Sequence, residues 1–189
     1  MYVLENHSYY GDFFGYLNIF GEVQNDTADH LDSVEIAVNV FNSGGQFIGT
    51  GFNYIYLNNL PAGDKTCFYI ALEEPANWSY YEFEPPYYWT DGEPLPNLTV
   101  LNDSGYYDPF WGWYDITGQV RNDHGTRVED IFLVGALYDA FGAIIDCDYA
   151  YTDAFYLDPG QASYFELMFS WRDYANVASY RLQVDGSPQ

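Results

Sequence analysis

Positive charge is what this chain has least of. Five Lys+Arg stand against 28 Asp+Glu, giving a formal net charge of −23 and a sequence pI near 4.1. That field repels phosphate backbones and anionic headgroups, so no nucleic acid partner is expected and an acidic membrane surface is disfavoured. Long apolar runs are missing too, so no membrane span is expected. No charged n-region and apolar h-region open the chain, and Met1 stands almost on the first expected strand. We read Met1 as an added start residue on a chain whose precursor lost a leader. Histidine is scarce. His7, His30 and His124 have no Cys or His neighbour at metal-ligand spacing, which leaves zinc without ligands. No serine sits in a nucleophile elbow and no glycine-rich phosphate loop precedes a helix. With no nucleophile, base and orienter to name, the chain is read as a non-enzyme without catalytic residues.

Aromatic side chains, by contrast, are abundant. Tyr (21), Phe (14) and Trp (5) make up 21% of the chain. Such residues suit a pleated, half-buried surface. They are also more than two small cores can hide, so some rings should lie on surfaces that meet something else.

The most informative pattern is an internal repeat. Shifted by 97 positions, Val3–Leu72 matches Val100–Phe169 without a gap, with 17 identities over 70 positions. Among them are Gly21, Val23 and Asn25 against Gly118, Val120 and Asn122, and Leu60, Gly63 and Phe68 against Leu157, Gly160 and Phe165. Repetition at this length points to two domains rather than a solenoid. The boundaries read as 1–86 and 98–189, separated by a proline-rich junction at 87–97. Proline stiffens such a segment.

Within each copy the apolar period is two. Val34, Ile36, Val38 and Val40 alternate with Ser33, Glu35, Ala37 and Asn39, and no stretch carries a helical stripe. Turns are expected at Asn42–Gly45, Leu60–Asp64, Asp139–Gly142 and Asp158–Gly160, with strands at 47–57 and 144–154. The expected fold is all-β: two tandem antiparallel β-sandwich domains.

The same residues resemble a known family. Gly118-Gln-Val120-Arg-Asn122, Ala136-Leu137-Tyr138-Asp139 with Gly142, and Leu157-Asp-Pro-Gly160 followed by Phe165 are similar to the FxLYD domain. The first copy matches with Gly21–Asn25, Val40-Phe41-Asn42 with Gly45, and Leu60–Gly63 followed by Phe68. Gly135 departs from the pattern where the name-giving Phe would stand, and Asn42 replaces the Asp. The resemblance implies a small immunoglobulin-like sandwich, secreted or envelope-facing, with no catalytic residues to carry over.

Candidate site residues follow from exposure and chemistry. In the second copy the outward positions of the central strand become Phe132, Val134, Ala136 and Tyr138, too apolar for a solvent face. Something should cover that face: the neighbouring module, a following chain segment or another molecule. Phe132, Val134 and Tyr138, with Trp89, Trp111 and Trp113, are the expected interface. Trp78 joins the last three as a candidate for stacking on sugar rings. Asp146 and Asp148 share one face of a strand and, with Asp153 and Asp158, are weak calcium candidates against the simpler reading of a solvated face. No other cofactor is implied. Cys67 and Cys147 occupy non-equivalent places, so no disulfide forms inside either copy. They pair with each other, pair between chains, or stay free: strand parity, which puts Cys147 beside Ile145 and Tyr149 on the core side but Cys67 opposite to Phe68 and Ile70, slightly opposes a bond, whereas a secreted context favours one. Five sequons (Asn6, Asn25, Asn77, Asn97 and Asn102) are candidates for glycans on a secreted protein. The function these features point to is extracellular and non-catalytic: a structural or adhesive protein whose partner is a protein, itself included. Carbohydrate or calcium binding is the alternative.

Overall fold

The computed structural model describes residues 1–189 and contains strands, bridges and turns but no helix. The chain divides into two compact units, Met1–Glu93 with Ala143–Ile145, and Pro94–Gly142 with Asp146–Gln189.

In the first unit, β1 (Tyr2–Gly11), β2 (Tyr16–Gln24) and β6 (Lys65–Glu73) form one antiparallel sheet with β2 in the middle. The second sheet is built on β3 (Leu31–Asn42). It pairs with β4 (Phe47–Tyr54) and β5 (Asn59–Leu60), and also with β7 (Trp78–Phe83) and β8 (Tyr87–Trp89). The expected alternation is realised on β3: Val34, Ile36, Val38 and Val40 are buried, while Glu35, Ala37, Asn39 and Phe41 are half-exposed. The buried set belongs to one interior with Leu17, Ile19, Phe68 and Ile70. Phe68 of β6 meets the ring of Phe83 on β7 at 5.6 Å.

The second unit repeats the plan. β9 (Leu98–Asp108), β10 (Trp113–Asn122) and β14 (Ala162–Phe169) form a sheet centred on β10. β11 (Val128–Tyr138) pairs with β12 (Ile144–Tyr151, whose first two residues belong to the first unit), β13 (Tyr156–Leu157) and β15 (Ser179–Pro188). Strands β4 and β12 stop at Tyr54 and Tyr151, short of the expected 57 and 154. The next backbone groups bond elsewhere: Ile55 N–H goes to Val34 O, and Thr152 N–H to Ile131 O. The proline-rich stretch is not bare linker, because Tyr87-Tyr88-Trp89 adds to β3 as β8.

Several repeat identities have visible causes. Gly21 faces Phe68 across β2 and β6, and Gly118 faces Phe165 across β10 and β14. A Cβ at Gly21 would stand 2.4 Å from the Phe68 ring, and one at Gly118 would stand 2.9 Å from that of Phe165. Each ring needs the vacancy beneath it. Asn25 and Asn122 are fully buried. The Asn25 amide donates to the carbonyls of Asp29, Leu60 and Pro61, and that of Asn122 donates to Thr126 and Leu157. Both bind loops whose carbonyls would otherwise be unsatisfied. A bulge recurs as well. Ser33 and Asp130 both have positive φ (49° and 50°), where the registers of β3 and β11 slip.

Asn42 and Gly135 have local causes as well. Asn42 Oδ1 accepts from the N–H groups of Gly44 and Gln46, and Asp139 Oδ1 accepts from Phe141 N–H, so either residue can close the hairpin. At Gly135 a Cβ would lie 2.4 Å from Leu167, leaving no room for a phenyl ring.

Candidate functional site

Residues directly opposite on antiparallel strands project from the same face. The half-exposed row of β3 therefore shares its face with Tyr54 (opposite Glu35), Phe52 (Ala37), Thr50 (Asn39) and Phe47 (Phe41) on β4. From the other side come Tyr87, again opposite Glu35, with Glu82 and Tyr80 opposite Asn39 and Phe41. Trp89 sits one pleat beyond Tyr87, 5.8 Å ring to ring. Six of these rings are exposed: Phe47, Phe52, Tyr54, Tyr80, Tyr87 and Trp89. Phe41 anchors the set, stacked on Tyr80 at 5.1 Å and edge-on to Phe47 at 6.1 Å. The small Ala37 side chain makes the middle of the face low. The polar groups are placed among the rings rather than outside them. Asn39 donates to Glu84 at 2.7 Å. Tyr54 donates to Glu35, and that carboxylate holds the phenol pKa above its usual value.

The expected interface of the second unit is placed differently. Phe132 and Val134 are 6% and 1% exposed, Ala136 is buried and Tyr138 is half-buried, with no second molecule present. The expected cover is therefore supplied within the chain rather than by another molecule. Phe132 packs against Tyr151 at 5.8 Å and Tyr149 at 6.4 Å. Continuous burial along β11 replaces the alternation of β3, as expected for a strand covered on both faces. Trp89 and Trp111 are exposed, whereas Trp113 is half-buried and stacks on Trp111 at 5.4 Å. Trp78 is half-buried, its indole N–H donating to Glu74.

The four candidate calcium aspartates do not converge, and no group of three or more His, Cys, Asp or Glu side chains is placed to hold a metal. Asp146 is buried. It accepts hydrogen bonds from the Tyr174 hydroxyl and the Cys147 N–H, and desolvation pushes its pKa up to about 6. Burial also raises Asp148, Asp153 is exposed, and Asp158 pairs with Arg127 at 2.9 Å. The solvated-face reading of Asp146 is therefore corrected. Ile144 to Cys147 are buried in succession, so both faces of β12 are interior there: Ile145 and Cys147 lie inside as expected, Asp146 joins them, and Tyr149 is exposed.

Neither cysteine is free: Cys67 and Cys147 are both disulfide-bonded and both buried. The parity objection does not hold, because Thr66, Cys67 and Phe68 are buried in succession and both faces of β6 are interior there. Among the sequons, Asn77 and Asn102 are exposed and both adopt left-handed backbone. Asn97 is exposed with its amide 3.3 Å from Asp123 O, and Asn6 is bound to Glu22. Asn25 is fully buried with its amide engaged, so a glycan there is incompatible with the folded unit.

The sequence singles out Trp89 and Trp111 but not the two aromatic features they belong to. The first-unit face is hidden because its central strand reads Glu35, Ala37, Asn39; the rings arrive from β4, β7 and β8. The second is a pair of equivalent turns, Phe13-Phe14 and Phe110-Trp111, whose rings are among the most exposed in the chain. Repeat identity at Phe13 and Phe110, beside a glycine of positive φ, was the available signal.

A shallow cleft of about 520 Å³ in the second unit is lined by Ala154, Phe155, Tyr156, Leu157, Gln161 and Ala162. It brings together no carboxylate, histidine or thiol. No helix is long and apolar enough to cross a membrane.

No protein-family model and no curated protein matches the chain. Among solved structures it is similar to an exo-chitosanase from Amycolatopsis orientalis (11% identity, TM-score 0.32), covering 96% of this chain and 25% of that one. A red sea bream transglutaminase gives 9% identity and a TM-score of 0.28, covering 98% of this chain and 29% of the other. The tandem CBM22 domain of a Paenibacillus barcinonensis protein gives 8% identity and a TM-score of 0.18 over 100% and 86% of the two chains. The chain thus spans about a quarter of the first of these. The chain is all-β, built of antiparallel sheets.

Proposed function

We propose that this is a non-catalytic structural or adhesive protein, built from two immunoglobulin-like β-sandwich modules of FxLYD type, that associates with protein surfaces, its own copies included. The observation that carries the reading is the face of β3, β4, β7 and β8, where six exposed rings share one side of a sheet. Solvent faces of antiparallel sheets are normally polar, and aromatic residues are enriched where proteins meet. The oxidised cysteines support a place outside the cytoplasm.

Charge sets the terms of association. Two copies at −23 repel each other, so contact through an aromatic face must gain strength as salt screens the repulsion. Light scattering should show a mass that rises with protein concentration, and more steeply at about 0.5 M than at about 0.05 M salt. Phe52→Ser with Trp89→Ser should abolish the rise. A strict monomer at all salt concentrations, together with no protein captured by this face in a cross-linking screen, would remove the proposal.

A second reading has its own observation. Glu35, Asn39 and Glu84 lie among the rings, giving hydroxyl-bonding groups beside stacking surfaces, the combination a sugar chain requires. Oligosaccharide titration that quenches tryptophan fluorescence in the native chain, but not in Trp89→Phe, would favour carbohydrate over protein.

A further inference from the structure

The chain has a single lysine, Lys65, and 28 carboxylates with which it could pair on the surface. It is turned instead onto Glu22, whose side chain is wholly buried. The ammonium lies 2.9 Å from Oε1 and 2.9 Å from Oε2. The same Oε2 accepts a second hydrogen bond, also 2.9 Å, from the side-chain amide of Asn6. Lys65 Nζ and Asn6 Nδ2 are thus no further apart than twice that distance. The Asn6 carbonyl oxygen accepts at 2.8 Å from the backbone N–H of Ile144, a residue of the same unit.

An ion pair with one wholly buried member is weak evidence for stability, since desolvation of that carboxylate offsets much of the attraction. Stability alone therefore gives little reason for this arrangement. Its parts have complementary chemistry. Lys65 carries a nucleophile once neutral, Glu22 is a carboxylate able to take and return its proton, and Asn6 carries an electrophilic carbon. The Ile144 N–H points at the oxygen on which charge develops. The second copy supplies an internal contrast: Asp103, Gln119 and Ala162 stand at the equivalent positions, so all three members are absent together.

We propose that Lys65 and Asn6 become joined by an intramolecular isopeptide bond, with Glu22 as the acid–base group. The ammonium, partly exposed, passes a proton to the buried Glu22, leaving a neutral amine. Nζ attacks Cγ of Asn6, and the oxyanion is held by Ile144 N–H. Glu22 relays a proton from Nζ to Nδ2, the Cγ–Nδ2 bond breaks, and ammonia leaves. An ammonium and a primary amide become a secondary amide and an ammonium ion, with no oxidant or reductant. Because β1 and β6 flank β2, the bond clasps the two outer strands of the sheet across the middle one.

Intact mass of the full chain, denatured and with its disulfide reduced, tests this directly. The expected value is about 17 Da below the sequence mass, the loss of one ammonia. Digestion at acidic residues should then yield one species containing both Asn6 and Lys65. Lys65→Arg and Glu22→Gln should restore the full mass. A native chain at its full sequence mass overturns the proposal. So does a loss of about 17 Da confined to the Asn6 peptide, which is succinimide formation.

Discussion

Asp146 gives the sharpest test of how this interior is balanced. Its carboxylate is 3% exposed, and desolvation is the largest influence on it, opposed by the Tyr174 hydroxyl, the Cys147 N–H and the charge of Arg172, with Asp148 adding to the rise. The outcome is a pKa lifted from 3.8 to about 6. Between those values the folded protein holds a proton that the unfolded chain has released. This group's contribution to stability is therefore complete below pH 4 and is lost as pH rises through 6. At about 1.36 kcal/mol per pKa unit the loss is about 3 kcal/mol. Asp146→Asn stays neutral at every pH. Its oxygen can still accept from Cys147 N–H while its amide donates to a reoriented Tyr174 hydroxyl. Unfolding by urea, followed in a Trp78→Phe/Trp89→Phe background so that only second-unit tryptophans report, should show the variant gaining about 3 kcal/mol on its parent between pH 4 and pH 7. Above pH 7 the gap should stay constant. A gap that does not change over this range, or that narrows as pH rises, would refute the reasoning.

Other expectations follow from the same structure. Asn25→Ala removes three donated and two accepted hydrogen bonds and strands buried carbonyls, so thermal or urea unfolding should show a loss of about 3–5 kcal/mol. Asn122→Ala, with fewer partners, should lose less. Gly135→Ala pushes a methyl into Leu167 and should cost about 1–3 kcal/mol, with the aromatic face of the first unit untouched. Trp89→Ser lies on an exposed face and should change stability by less than about 1 kcal/mol while reducing association at high salt. Thiol titration of the unreduced chain in denaturant should find no free thiol, and titration after reduction should find both Cys67 and Cys147.

Sequence alone carried the strands a long way. On β3 the alternation of Val34, Ile36, Val38 and Val40 reported the interior faithfully, because one face is buried and the other meets solvent. On β11 the same reading noticed that Phe132 and Val134 were too apolar for solvent, but could not say what covers them, since cover is a tertiary property. The aromatic face of the first unit escaped for the opposite reason. Its rings come from three different strands, and only pairing registers bring Phe52, Tyr87 and Trp89 to one side. Strand parity, with Ile145 and Cys147 on the core side, puts Asp146 toward solvent, whereas both faces of β12 are interior there. The partner of Asp146, Tyr174, lies 28 residues away in a loop with no local pattern to announce it.

The paired bulges at Ser33 and Asp130 carry a consequence for changes in chain length. In an unbroken strand, losing one residue turns every later side chain inside out. Here Leu31 and Val34 are both interior although three positions apart, because the left-handed residue between them absorbs the odd step. Removing Ser33 would bring them to the even spacing a regular strand prefers, so the downstream row could keep its facing. A similar excision anywhere between Glu35 and Asn39 would send the valines into water. The kink is thus a reading-frame buffer, a spot in each copy where a codon can be lost without scrambling the core.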